Sequence, residues 1–199
     1  MLSDGVGSDL AEQHREQQLS RVCLATTRMD RMVDALLEIS RVGGKPVERG
    51  PIDLSGLAAY LAAEMAREEP GRQVQFEVED GLRAEGDRGL VRSLLRELLS
   101  NAWKFTRNIE RARVEVGRIG SAFYVRDDGP GFDMQHASRM FDTFERLHHS
   151  DEFEGEGVGL AIAARVARRH GGRIWAESRP GAGATLFFTL SDEDSGAVG

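Results

Sequence analysis

Glu97, Asn101 and Lys104 stand four and then three residues apart in the stretch RELLSNAWKF, from Arg96 to Phe105. On a helix this spacing stacks them on one face. A carboxylate, an amide oxygen and an ammonium converging there suit a hydrated metal ion and a polyphosphate. Leu94, Leu95, Leu98, Leu99 and Ala102 supply the apolar side. The trio alone is equally the solvated face of an amphipathic helix, and two glycine clusters further along the chain decide between these readings.

The first cluster is VRDDGPGF, Val125 to Phe132, in which a strand ends in an acidic residue followed by Gly129 and Gly131. Glycines at these positions allow positive φ and close approach of the backbone to a ligand, and a carboxylate at the strand end can accept a hydrogen bond from an exocyclic amine. A turn after an edge strand can show the same letters. The second cluster is GEGVGLA, with Gly155, Gly157 and Gly159 leading into an apolar helix. Free N–H groups and the positive dipole end of a helix make a ready phosphate site. No G-K-[ST] follows, which excludes the Walker loop, and the dinucleotide fingerprint belongs after the first strand of a βαβ unit.

The elements that must position these groups are legible from breaks and periodicity. From about Glu12 to Arg41 no Gly or Pro interrupts the chain, and Leu19, Val22, Thr26, Met29, Val33 and Leu36 alternate spacings of three and four. Met32, Leu37 and Ile39 widen this stripe beyond a single seam. The pattern predicts a helix of roughly 40 Å, an arm of a helical bundle completed by a second chain. Residues 1–42 form this arm, VGGKPVERGP breaks it, and residues 43–52 are read as a linker to a globular domain at 53–190. Asp53 or Ser55 can cap a helix reaching about Glu68, Gln73 to Val78 alternates as a strand, and Asp87 opens the central helix. Arg113–Gly117 and Ser121–Val125 read as a hairpin turning at Gly120. A helix at Leu160–His170, a strand at Arg173–Ser178 and a last strand at Ala184–Leu190 follow. Helices and strands mix without strict alternation, which predicts an α+β fold with helices on one face of a mixed sheet. The polar tail, residues 191–199, is expected to be disordered.

Bulk properties narrow the function. The 199 residues hold one domain and a smaller element, and 26 basic against 33 acidic residues give a net charge of -7. That balance argues against nucleic acid as a partner. Cys23 is the only cysteine, so no intrachain disulfide or cysteine-rich zinc site is possible. No apolar run is long enough to span a bilayer, and MLSDGVGSDL lacks the regions of a secretory signal. A cytoplasmic location without membrane contact by this segment is expected, and the cytoplasmic end of a larger sensor has the same appearance.

Taken in order, NAWKF, DDGPGF, MFDTFERLH, GEGVGLAIA and GATLFFTL resemble, box by box, the ATP-binding catalytic domain of sensor histidine kinases of the phytochrome-like kind. These share the GHKL group with gyrase, the related heat-shock chaperones and mismatch-repair ATPases. The resemblance covers about Pro51 to Leu190, and TTRMDRMVDALLEISRVG upstream looks like the second helix of the family's dimerisation and phosphotransfer domain. It implies a Bergerat-type two-layer α/β sandwich preceded by the bundle arm. It also implies Mg-ATP as ligand, with Asn101 on the magnesium, Lys104 by the phosphates and Asp127 receiving the adenine amine. Gly129 and Gly131 would shape the adenine pocket, and Thr185 resembles a threonine near the adenine. Phe141 and Phe144 would anchor the loop over the nucleotide and Arg146 would reach the γ-phosphate. Gly155, Gly157, Gly159 and Leu160 would form the lid end and helix start facing the phosphates. Glu97 matches a position acting as base or metal-orienting group. Implied partners are a second copy through the N-terminal helix and the receiver domain of a response regulator.

Two departures stand out. Glu156 replaces a usual Thr and brings negative charge to a phosphate-facing lid. The acceptor histidine motif is absent: His14 is in the wrong context, and His136, His148, His149 and His170 fall within the ATP domain without forming a metal site. The expected enzyme is a protein-histidine kinase portion that is not self-sufficient for autophosphorylation. The rivals are a degenerate adaptor that docks a response regulator without using ATP, and an anti-sigma-type serine kinase, which normally lacks the bundle helix.

Overall fold

The computed structural model describes residues 15, 18, 19, 22, 26, 46–141 and 158–191, with the backbone alone at 136, 138 and 139. Two compact units divide at Leu37 and Glu38. In the first, the five described residues are helical, and the Thr26 hydroxyl donates to the Val22 carbonyl at 2.6 Å. Leu19 and Val22, both on the expected apolar stripe, are 59% and 62% exposed. The rest of the expected bundle arm and the tail beyond Ser191 lie outside the described residues.

The second unit is built on a five-stranded sheet and a two-stranded one. Strands β1 (Gly50–Asp53) and β3 (Arg83–Gly86) pair antiparallel in the small sheet. The large sheet takes β2 (Val74–Val78), β4 (Ala112–Ile119), β5 (Ala122–Asp127), β6 (Ile174–Ser178) and β7 (Ala184–Phe188) in the order β2-β4-β5-β7-β6. Only β2 and β4 run parallel, so the sheet is mixed as expected. Three helices accompany it among the described residues: α1 (Leu54–Glu68), α2 (Arg88–Phe105) and α3 (Gly159–Arg169). The architecture is therefore the α+β sandwich that the mixed order of elements predicted.

Local chemistry explains the helix starts. Asp53 rather than Ser55 caps α1, its carboxylate accepting from the Gly56 N–H at 3.2 Å. Ser55 instead donates to the Glu79 carbonyl and accepts from the Leu82 N–H, pinning the β2–β3 turn to the helix. Asp87 caps α2 through Gly89 and Leu90. That helix buries Val91, Leu94, Leu95, Leu98, Leu99, Ala102 and Trp103, each large aliphatic contributing roughly 2 kcal/mol. At its other end the Thr106 hydroxyl donates back to the Ala102 carbonyl, and Arg72 donates to Thr106 while lying over the Trp103 ring.

Strand parity splits the large sheet into two faces. Val114, Val116, Phe123, Val125, Leu186 and Phe188 are buried on one, against which α2 packs. The opposite face carries Tyr124, Phe187 and Trp175 in a separate aromatic cluster, edged by Arg126 and Glu115. The hairpin of β4 and β5 is longer than expected by its ends, and Gly120 takes φ +59° in its turn. Strand β1 falls on Gly50 to Asp53, partly within the stretch read as a linker, and β3 was not foreseen. Both are four residues long and Pro51 sits where only an edge strand tolerates it, so neither carries a periodic signal.

Candidate functional site

Asp127 ends β5 with the same parity as Phe123 and Val125, and so its carboxylate enters the helix side of the sheet. It is 8% exposed, and it accepts from the N–H groups of Gly129, at 2.9 Å, and of Ala184. Burial raises its pKa to about 6, against the downward pull of those two donors. The adjacent Asp128 has the opposite orientation and accepts from the Arg113 N–H at the start of β4. Only one of the two aspartates is therefore available to a ligand on the helix side.

The glycines after Asp127 are dictated by close approach. A β-carbon on Gly129 would stand 2.7 Å from Asp127 Oδ1 and 3.2 Å from the Phe105 carbonyl at the end of α2. Gly131, at φ +64°, lies against the carbonyls of Arg179 and Gly183. The loop is locked further by Gly181 donating to the Pro130 carbonyl, Phe132 donating to the Ser178 hydroxyl, and that hydroxyl donating to the Gly183 carbonyl. Residues 178–183 thus form the second wall of the Asp127 loop. Sequence reasoning missed this wall, although Gly181 and Gly183, separated by one position before a strand, were its available signal.

On α2, Glu97, Asn101 and Lys104 are all half-buried, in contrast to the fully buried leucines of the same helix. The Lys104 ammonium rests over the Phe105 ring at 4.4 Å from its centre. Glu97 reaches the start of α3, where its carboxylate lies directly against Gly159. Leu160 follows, half-buried, in the first turn of α3. The structure therefore brings α2 to both glycine clusters: Phe105 touches the Asp127 loop, and Glu97 touches the last glycine of the second cluster. Phe141 is described and half-buried, but Phe144, Arg146, Gly155, Glu156 and Gly157 lie outside the described residues.

Thr185 is not brought to this site. It pairs with Arg126 in register, and its hydroxyl accepts from Arg126 Nε at 3.2 Å on the aromatic face of the sheet. A strand turns successive side chains to opposite faces, and it is Ala184 that stands opposite Asp127. The expectation of Thr185 beside the adenine is corrected accordingly, with the Ala184 N–H supplying the β7 contact.

His170 is fully buried and belongs to the scaffold. Its Nε2 accepts from the Asp87 N–H at 2.9 Å, so Nδ1 carries the proton and donates to the Val166 carbonyl at 2.8 Å. Burial lowers its pKa, and Arg49 donates to its backbone carbonyl at 2.5 Å. Among the described residues no cluster of three or more His, Cys, Asp or Glu could cage a metal.

Comparison with known proteins decides the family. Residues 86–194 match the model of the histidine kinase-, DNA gyrase B- and HSP90-like ATPases, a span that begins just before α2 and ends after β7. The chain belongs to this ATPase family. Its curated relatives include cyanobacterial phytochrome B of Nostoc sp. (strain PCC 7120), 30% identical over 96% of the chain and 26% of that protein. The methanogenesis regulatory histidine kinase FilI of Methanothrix harundinacea (strain 6Ac) is 33% identical over 83% of the chain and 19% of that protein. The chain thus spans only about a quarter of these two relatives or less. Among solved structures, full-length ShkA in complex with AMPPNP superposes with a TM-score of 0.66 at 26% identity, covering 88% of this chain and 38% of that one. The nucleotide-free catalytic domain of the histidine kinase ThkA shares the fold, with a TM-score of 0.56 at 23% identity over 74% of this chain and 99% of its own. The fold is that of histidine kinase catalytic domains, within the wider family of histidine kinase-, DNA gyrase B- and HSP90-like ATPases.

Proposed function

We propose that the chain is the ATP-binding catalytic part of a two-component sensor histidine kinase, which transfers the γ-phosphoryl group to a histidine on a bundle helix. The observation that carries this reading is Asp127. A carboxylate 8% exposed, given two backbone donors yet raised to about 6, is an acceptor held in a dry place where a further donor is welcome. The exocyclic amine of adenine is such a donor, and Gly129 and Gly131 let the loop close tightly beside that carboxylate. Lys104, one helical turn from Asn101, offsets phosphate charge once it leaves the Phe105 ring.

Magnesium fits the residues present. Glu97 and Asn101 place one carboxylate and one amide oxygen on a single face of α2, a hard-oxygen donor set suited to an ion that brings phosphate and water ligands with it. Asn101 would hold it, Glu97 would orient its water shell, and the ion would supply charge neutralisation at the phosphates. Thr185 has no part in this arrangement. Phe144, Arg146, Gly155 and Gly157 are proposed as the lid over the nucleotide on sequence grounds.

The acceptor histidine is read as supplied by a separate bundle segment, because the acceptor motif is absent from this sequence, and His170 is in addition committed to two hydrogen bonds in the core. The exposed Leu19 and Val22 support pairing of the N-terminal helix with a second copy. A response-regulator receiver domain is the proposed recipient of the phosphoryl group, in the cytoplasm. Calorimetric titration with Mg-ATP tests the nucleotide, and equal affinity of wild type and Asp127→Asn refutes the adenine assignment. Incubation with radiolabelled ATP tests the transfer: acid-labile label is expected only when a bundle bearing the acceptor histidine is added.

A further inference from the structure

The end of α2 is held by an arginine from outside the helix. Arg72 lies between α1 and β2 with its side chain 11% exposed, and its guanidinium covers the Trp103 ring at 4.5 Å from the centre. One terminal nitrogen donates to the Thr106 hydroxyl at 2.8 Å, and that hydroxyl donates in turn to the Ala102 carbonyl at 2.7 Å. The Arg72 Nε is buried without an acceptor among the described residues, and the ion pair with Glu69 is stretched to 4.0 Å, toward a carboxylate 42% exposed. A buried guanidinium left short of acceptors costs stability, and an apolar side chain over the indole avoids that cost. Packing on Trp103 therefore does not account for the arginine. What the guanidinium alone supplies is the donor that fixes the Thr106 hydroxyl.

The turn held in this way, Ala102 to Thr106, carries Lys104 and Phe105 and follows Asn101 directly. Its backbone meets the Asp127 loop: a β-carbon on Gly129 would stand 3.2 Å from the Phe105 carbonyl, and the Gly129 N–H donates to the Asp127 carboxylate. The helical ladder ends here, with the Thr106 N–H on the Ala102 carbonyl and the Arg107 N–H on the Lys104 carbonyl, both at 3.2 Å. Last turns leave carbonyls unmatched and fray unless something outside the helix holds them. We propose that Arg72 is a positioning residue for the nucleotide, a clamp that acts through the Thr106 hydroxyl to hold the last turn of α2, and with it Lys104 and the Phe105 carbonyl, against the Asp127 loop. The consequence for ligand binding rests on the nucleotide reading, and the clamp itself on geometry. Arg72 touches no ligand in this role. It keeps fixed the turn that does, and precise placement of binding groups is what a remote clamp supplies.

Arg72→Met keeps an apolar stem over Trp103 and removes the donor to Thr106. Hydrogen exchange of the full chain, followed by NMR without nucleotide, reads the clamp. Protection of the Thr106 and Arg107 N–H groups should fall several-fold, while that of the Val91 N–H, bonded to the Asp87 carbonyl at the start of α2, should hold. Equal protection in variant and wild type, or a loss along the whole of α2, overturns the clamp. In calorimetry Arg72→Met should bind Mg-ATP several-fold more weakly than wild type, with a urea midpoint that is unchanged or higher. Unchanged affinity, or a midpoint lowered in step with affinity, overturns the positioning role. Arg107→Gln removes the same charge from an exposed residue next to Thr106 and should bind as wild type does; equal weakening would make the effect one of charge alone and overturn the claim. In a Thr106→Val background Arg72→Met should weaken binding no further, and additive losses overturn the route through the hydroxyl. Absence of Mg-ATP binding by wild type refutes the nucleotide reading, while the exchange experiment still decides whether Arg72 holds the turn.

Discussion

Asp127 and His170 are both buried titratable side chains at the end of a secondary-structure element, yet the protein uses them in opposite ways. His170 spends each ring nitrogen on a backbone partner, tying the cap of α2 to the last turn of α3. Asp127 receives two N–H donors and keeps acceptor capacity on oxygens that can take about four. Burial pushes both toward neutrality, lowering the histidine and raising the aspartate to about 6. A buried group whose bonding is complete is scaffold. One left short of partners, at a cost in stability, has the character of the ligand acceptor proposed for Asp127.

The comparison is broken most forcefully at His170. His170→Ala leaves the Asp87 N–H and the Val166 carbonyl unmatched beside a new cavity, and should lower unfolding free energy by roughly 2–4 kcal/mol. Urea denaturation measures this, and a loss below about 1 kcal/mol contradicts the scaffold role.

Asp127→Asn should do the reverse. Loss of the charge-assisted bond to an exocyclic amine, worth about 1.5–3 kcal/mol, weakens Mg-ATP binding tenfold or more in calorimetry. Stability should hold or rise, because a shift from 3.8 to about 6 corresponds to about 3 kcal/mol of penalty for the ionised buried form. A variant that loses stability and keeps affinity would make Asp127 a second His170.

The pH dependences have opposite signs. His170, with its folded pKa depressed below 6.5, contributes stability at neutral pH that is lost as the pH falls through 6.5 toward the folded value, since the unfolded chain binds the proton first. Asp127, raised from 3.8 to about 6, contributes stability below 3.8 that is lost as the pH rises through about 6. ATP affinity should follow Asp127, falling several-fold between pH 7 and pH 5 as the acceptor is protonated. Titrations at matched ionic strength check this, and in Asp127→Asn the dependence should flatten.

The smallest effect is expected at Thr185. Thr185→Val removes a hydrogen bond with Arg126 on the aromatic face, so ATP affinity should stay within about twofold and stability should change by about 1 kcal/mol or less. A tenfold loss of affinity would return Thr185 to the nucleotide site.

The sequence by itself determined the helix α2, because seven buried positions at helical spacing and the Asp87 cap admit no other element there. It likewise determined the Asp127 loop and the start of α3, since glycines spaced by one position read through local backbone chemistry. The face of a strand on which a residue falls was less secure: Thr185 is next to the residue that meets Asp127, and a shift of one position reverses the side of the sheet. Short strands such as β1 and β3 left no periodic trace, for their pairing is decided by a partner thirty or more residues away. The locking of Gly131 by Arg179 and Gly183, the bridge from His170 to Asp87, and the meeting of Glu97 with Gly159 are long-range contacts. No local pattern encodes them. They arise only when α2 and α3 pack against each other and against the sheet, and there close approach decides where a side chain can be accommodated.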